Sequence, residues 1–236
     1  MAREKKRRKP KGWLYRLGQL VLWGYFHVVF RMDVKGAENV PEEGPVLLCS
    51  NHLAKRDPVL LGLTQKRQVF YMAKEELFRN KFLGALFRKL GAFPVNRGTG
   101  GEDALENAYE LLGENAVVGV FIEGHRSKTG ELLKPKTGAA LLAFKTQAPV
   151  VPVCITAGDG KIPEMFKRTL IRFGKPIPAQ ELGLTEGTSM HLRRASRIIM
   201  GEIAKLREES LKELGLPLPA PAASEKKPAG KEGDAL

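Results

Sequence analysis

A histidine and an aspartate five positions apart, His52 and Asp57, stand between the apolar runs 46–49 and 59–61. A carboxylate that holds one imidazole nitrogen fixes the tautomer and stabilises the imidazolium, which makes the ring a general base near neutral pH. On a continuous helix, residues five apart lie roughly 140° apart and cannot meet, so contact between this pair requires a turn. Asp57-Pro58 supplies one, because it reads as an N-cap followed by proline at the first helical position, with His52 left in the preceding loop. The competing reading gives Asp57 a capping role alone and His52 a place in an ordinary loop. A carboxylate has two oxygens and can serve both purposes.

Three further segments put polar groups at the ends of apolar runs. Arg97 lies in Gly91-Ala92-Phe93-Pro94-Val95-Asn96-Arg97-Gly98, where glycines permit close approach of a ligand and the planar guanidinium suits a phosphate. A solvated turn arginine is the alternative. Glu123, Gly124 and Arg126 follow the run 116–122, and a Glu-Gly turn after a strand is ordinary by itself. Lys134 and Lys136 precede a helical stretch, which leads to the run 149–153, a strand bent or edged by Pro152.

The elements that must position these groups alternate. Strand patterns at 46–49, 68–72, 92–95, 116–122, 150–155 and 169–173 are interleaved with helical patterns at 57–63, 82–90, 102–112 and 137–146, after an edge strand at 33–38. This repetition predicts an α/β fold with a mainly parallel or mixed sheet flanked by helices. An amphipathic helix over 189–214 closes the folded part, with Leu192, Ala195, Ile199, Ile203 and Leu206 on one face. A domain spanning 33–215 is expected, and the Pro, Ala and Lys-rich tail 216–236 reads as disordered.

The 236 residues carry a formal net charge of +13, which points to an anionic partner: nucleic acid, anionic lipid or a phosphorylated substrate. Residues 1–11 concentrate seven basic side chains against Glu4 and form a basic disordered segment. In residues 12–32 the polar Arg16, Gln19, His27 and Arg31 fall in one sector of a helical wheel whose remainder is apolar and aromatic. Too interrupted for a comfortable span, this segment reads as an amphipathic membrane-docking helix, with the neighbouring basic residues drawn to anionic headgroups. A core helix and a signal peptide are the alternatives, and the second lacks a small-residue cleavage pattern. Cys49 and Cys154 each sit in an apolar run and read as core residues of a reducing compartment, with no metal site or disulfide framework.

Together and in this order the segments resemble the lysophospholipid acyltransferase family, whose bacterial members make phosphatidic acid from 1-acylglycerol 3-phosphate. The most specific elements are Asn51-His52 through Asp57, similar to the family's N-H-x-x-x-x-D, and Phe121 to Ser127, similar to F-P-E-G-T-R-S. The resemblance implies His52 as the base on the acceptor hydroxyl, Asp57 as its partner, and Arg97 as the ligand of the acceptor phosphate. It also implies that Glu123, Gly124 and Arg126 shape the acceptor site, with Lys136 at a basic position before the following helix. The implied partners are lysophosphatidic acid, acyl-CoA or acyl carrier protein as donor, and anionic membrane lipids. No cofactor, metal or nucleic acid is expected, and the enzyme would be peripheral or monotopic on the cytoplasmic face of the cell membrane. Ile122, His125, Asn96 and Ala54 depart from the pattern around the proposed phosphate end. Rival readings are the same chemistry on another acceptor (glycerol 3-phosphate, a second lysophospholipid, an amine or a glycolipid), and a non-catalytic basic protein on anionic membranes.

Overall fold

Every residue of Val46–Ser50 is buried, as a strand covered on both faces must be. The fold, a computed structural model, describes residues 13–95 and 102–219. Arg97, the basic segment 1–11 and most of the tail from 216 lie outside the described residues.

Seven strands form one sheet: β1 Met32–Lys35, β2 Val46–Ser50, β3 Val69–Lys74, β4 Ala92–Val95, β5 Val117–Phe121, β6 Val150–Ala157 and β7 Thr169–Phe173. Their order is β1-β7-β6-β2-β5-β3-β4. All pairings are parallel except β6 with β7, so β7 and β1 run against the other five. This is the expected mixed sheet.

Helices α1 Trp13–Val29, α2 Asp57–Leu63, α3 Lys81–Lys89, α4 Glu102–Gly113, α5 Gly138–Thr146 and α6 Ser189–Glu213 complete the chain. One face of the sheet buries Leu47, Cys49, Val118 and Val150 under Leu112 of α4, Leu142 of α5 and Ile199 of α6. The opposite face buries Leu48, Val117 and Ile155 under Leu60 and Leu61 of α2, with Val29 and Phe30. Each such leucine contributes roughly 1.5–3 kcal/mol by leaving water. The chain reverses direction in the sheet between β2 and β5: the connection after β2 leads through α2 to β3 on one side, and that after β5 leads through α5 to β6 on the other. Such a switch point opens a crevice at the carboxyl ends of the strands.

Three local expectations are corrected. Pro152 lies in an interior strand and not at an edge; its carbonyl accepts from Gly174 N–H at 2.8 Å, and the ladder to β7 starts one residue later, at Val153. The helix expected over 12–32 ends at Val29, because Arg31 takes a positive φ of 42° and Met32 already opens β1. Phe30 and Met32 are buried, so the end of this segment belongs to the core, whereas Leu20, Val21, Tyr25 and Val28 on α1 are exposed. No helix of the described residues is long and apolar enough to cross a membrane. The edge strand expected over 33–38 is Met32–Lys35, since Gly36 turns the chain with a φ of 74°.

Candidate active site

β2 ends at Ser50 and β5 at Phe121, paired partners in register, so the loops that follow them leave the sheet side by side at the switch point. His52 and Glu123 each lie two residues beyond those ends. The pairing continues into the loops: Ile122 N–H donates to Ser50 O at 3.0 Å and Ser127 N–H to His52 O at 2.8 Å. Asn51 fixes the other side, its side-chain amide donating to Ile155 O at 2.9 Å and accepting from Ile155 N–H at 2.8 Å. Asn51 thereby extends the β2 ladder onto β6 with a side chain, a role that the sequence offered only as an amide between an apolar run and His52.

His52 and Asp57 meet as the turn between them predicts: Nδ1 stands 2.8 Å from Oδ2. Asp57 does not cap the helix. Arg56 already has helical angles and Asp57 is the first residue of α2, and its carboxylate turns back into the loop instead of onto the helix. There Oδ2 also accepts from Leu53 N–H at 2.7 Å and Ala54 N–H at 2.8 Å, and the side chain is fully buried. Asp57 therefore closes the loop that carries His52. An acceptor-only carboxylate makes Nδ1 the protonated nitrogen, which leaves the Nε2 lone pair free to take a proton. The imidazole is 17 % exposed, enough for a substrate hydroxyl to reach it, and lies on Phe121 with ring centroids 3.9 Å apart and planes at 18°.

Glu123 is buried, accepting from His52 N–H at 3.4 Å and Leu133 N–H at 3.2 Å. Burial raises its carboxyl above the usual glutamate range, against the lowering effect of those two N–H groups and the His52 and His125 charges. Gly124 turns the chain with a φ of 74°, and a Cβ there would meet Lys136 Cγ at 3.2 Å. Lys136 N–H in turn donates to Ile122 O at 2.7 Å. His52, Asp57, Glu123, Gly124 and Lys136 are thus brought to one place. Arg126 is exposed on the same loop. Of the departures, Ile122 is buried in the core and His125 is exposed.

A protonation test follows for Glu123. Because its folded-state pKa is raised, its contribution to stability is complete below the unfolded value, about 4.3, and is lost as pH rises through the raised value. Glu123→Gln removes that titration. The unfolding free energy of the variant relative to wild type should therefore move in the variant's favour as pH rises above about 4, read from urea melts; a difference that stays flat with pH would contradict it.

Neither cysteine is placed to act as a nucleophile. Both are buried, burial pushes both thiols up, and that of Cys154 reaches about 12. The described residues place here an imidazole held by a buried carboxylate, just beyond the carboxyl ends of β2 and β5. An imidazole held in this way can take a proton from a hydroxyl.

The chain belongs to the acyltransferase family: the family model described as Acyltransferase matches residues 31–156, more than half the chain. It is an O-acyltransferase. Among similar proteins is a 1-acyl-sn-glycerol-3-phosphate acyltransferase of Bacillus subtilis, 34% identical over 149 residues, covering 62% of this chain and 73% of that one. Another, of Borreliella burgdorferi and of the same name, is 30% identical over 127 residues; the match spans 53% of this chain and about half, 51%, of that relative. The crystal structure of the 1-acyl-sn-glycerophosphate acyltransferase from Thermotoga maritima superimposes with a TM-score of 0.62 at 22% identity, over 83% of this chain and 82% of that one. That likeness is one of fold.

Proposed function

We propose that this chain transfers an acyl group from acyl-CoA or acyl carrier protein to the free hydroxyl of 1-acyl-sn-glycerol 3-phosphate, giving phosphatidic acid. The observation that carries this reading is the 2.8 Å contact between His52 and a buried, loop-closing Asp57, and the names of the relatives support the acceptor. His52 Nε2 takes the proton of the glycerol hydroxyl as its oxygen attacks the thioester carbonyl. The tetrahedral intermediate collapses with loss of the thiolate, which takes the proton back from the imidazolium. Asp57 stabilises the imidazolium between the two steps. Backbone N–H groups serve the developing oxyanion.

Arg97 binds the acceptor phosphate through its planar fork, with Arg126 and Lys136 adding positive charge. Glu123 holds the backbones of His52 and Leu133 together and so shapes the acceptor site with Gly124. The exposed Leu20, Val21, Tyr25 and Val28 of α1 support docking to the membrane from the cytoplasmic side, where the basic residues 1–11 meet anionic lipid.

Labelled acyl-CoA and acyl carrier protein, offered with a panel of lysolipids and glycerol phosphates and followed by mass spectrometry, test the reading. Phosphatidic acid from the lysophosphatidic acid is the expected product; transfer to a different acceptor with this one inert would overturn it. Arg97→Ala should raise the apparent acceptor requirement about tenfold or more while leaving the donor requirement within about twofold. The reverse pattern would put the phosphate elsewhere.

A further inference from the structure

Among the buried polar atoms with no hydrogen-bond partner in the described residues are Asp57 Oδ1 and the Tyr71 hydroxyl, beside Arg56 Nε and Thr169 Oγ1. Buried polar groups in folded proteins are paired as a rule, with protein or with ordered water. Tyr71 packs in the core cluster under α2, the helix that Asp57 begins. Tyr71, on β3, lies over Gly119 of β5, where the missing side chain makes room: a Cβ on Gly119 would come 2.0 Å from the Tyr71 ring. The Tyr71 ring is stacked with Phe121 at 5.8 Å and 20°, and Phe121 with His52 at 3.9 Å and 18°. Three rings therefore run from β3 to the base. Burial and the charge of Asp57 both raise the phenol's pKa, which places that carboxylate within electrostatic reach and keeps the phenol a donor at neutral pH.

We propose that Tyr71 is a positioning residue of the His52–Asp57 pair, its hydroxyl donating through one bridging water to Asp57 Oδ1. The three donors on Asp57 all converge on Oδ2. A carboxylate held on one oxygen alone can swing about it, and a donor on the other oxygen stops that motion and sets the angle at which His52 is gripped. The ring stack sets the tilt of the imidazole from the other side. The rival donor is Arg56 Nε, also buried and unpaired, on a guanidinium that lies 4.8 Å from the Phe30 ring and donates to Pro163 O at 2.6 Å.

The proposal rests on His52 being the base, so its first readout is free of substrate. Tyr71→Phe keeps the ring and removes the hydroxyl. In the folded, unliganded protein the nitrogen and proton resonances of His52 Nδ1–H should shift in this variant, because its acceptor has moved. In turnover, kcat should fall about fivefold to tenfold with both KM values within about twofold, the size expected for one hydrogen bond acting through another group. In the Asp57→Asn background the same change should alter the rate less than about twofold, since its effect runs through the carboxylate. Unchanged His52 resonances, an undiminished drop in the Asp57→Asn background, or an Arg56→Gln variant that shifts His52 while Tyr71→Phe does not, would each overturn it. A wrong acceptor would change the products and leave the His52 resonances of Tyr71→Phe shifted, so the two failures are separable.

Discussion

Replacing His52 with alanine is expected to lower acyl transfer by about 10³-fold, within the 10²–10⁴ that a positioned base contributes. Both KM values should stay near wild type, because the imidazole acts on a proton in flight and does not anchor either substrate. The loop should keep its shape. Its ties to Glu123 and Ser127 run through the His52 backbone, which alanine preserves, and Asp57 retains the N–H groups of Leu53 and Ala54. What is lost in the fold is the ring contact with Phe121 and one charged hydrogen bond, of order 1.5–3 kcal/mol. Initial rates against both substrates, with a thermal melt to confirm folding, decide the matter. A loss smaller than about tenfold would remove His52 from the proton transfer.

Asp57→Asn should cost about 10²–10⁴-fold in kcat while the protein stays folded. The outcome depends on which atoms Oδ2 serves. The two backbone donors of Leu53 and Ala54 repel an NH₂ group, so they hold the asparagine oxygen in the place of Oδ2 and leave the nitrogen in the place of Oδ1. His52 Nδ1–H then keeps an acceptor and its tautomer. Only the charge is gone, and with it the stabilisation of the imidazolium. Asp57→Ala differs in kind, since it leaves two buried N–H groups without an acceptor and should lower stability by about 2–4 kcal/mol as well. Comparing rates and melts of the two variants separates the electrostatic role from the structural one; near-normal turnover in the asparagine variant would exclude the electrostatic role.

Asp57-Pro58 also shows how far local reading carries. Proline after an acidic residue did mark the start of α2, at Asp57. It did not settle where the carboxylate points, because Arg56 continues the helical angles backward and the N–H groups of Leu53 and Ala54 converge on Oδ2 from the loop. Capping and loop closure start from the same two residues and differ only in the backbone angles before them. For α1 the apolar sector was legible, but whether Phe30 and Met32 faced lipid or core depended on an edge strand paired with residues 137 positions later, Met32 against Thr169.

The sequence by itself determined the nature of nearly every element, since period and punctuation are local, and it determined that His52 and Asp57 meet, since a turn between residues five apart leaves little freedom. Only the tertiary structure decided that β5 inserts between β2 and β3. That insertion brings Glu123 under the His52 backbone, Phe121 onto its ring and Tyr71 onto Phe121, and the adjoining β6 receives the Asn51 clamp. Strand order is a choice among packings of the same apolar faces. Its energy is spread over many contacts distant in the chain, so no short stretch of sequence announces it.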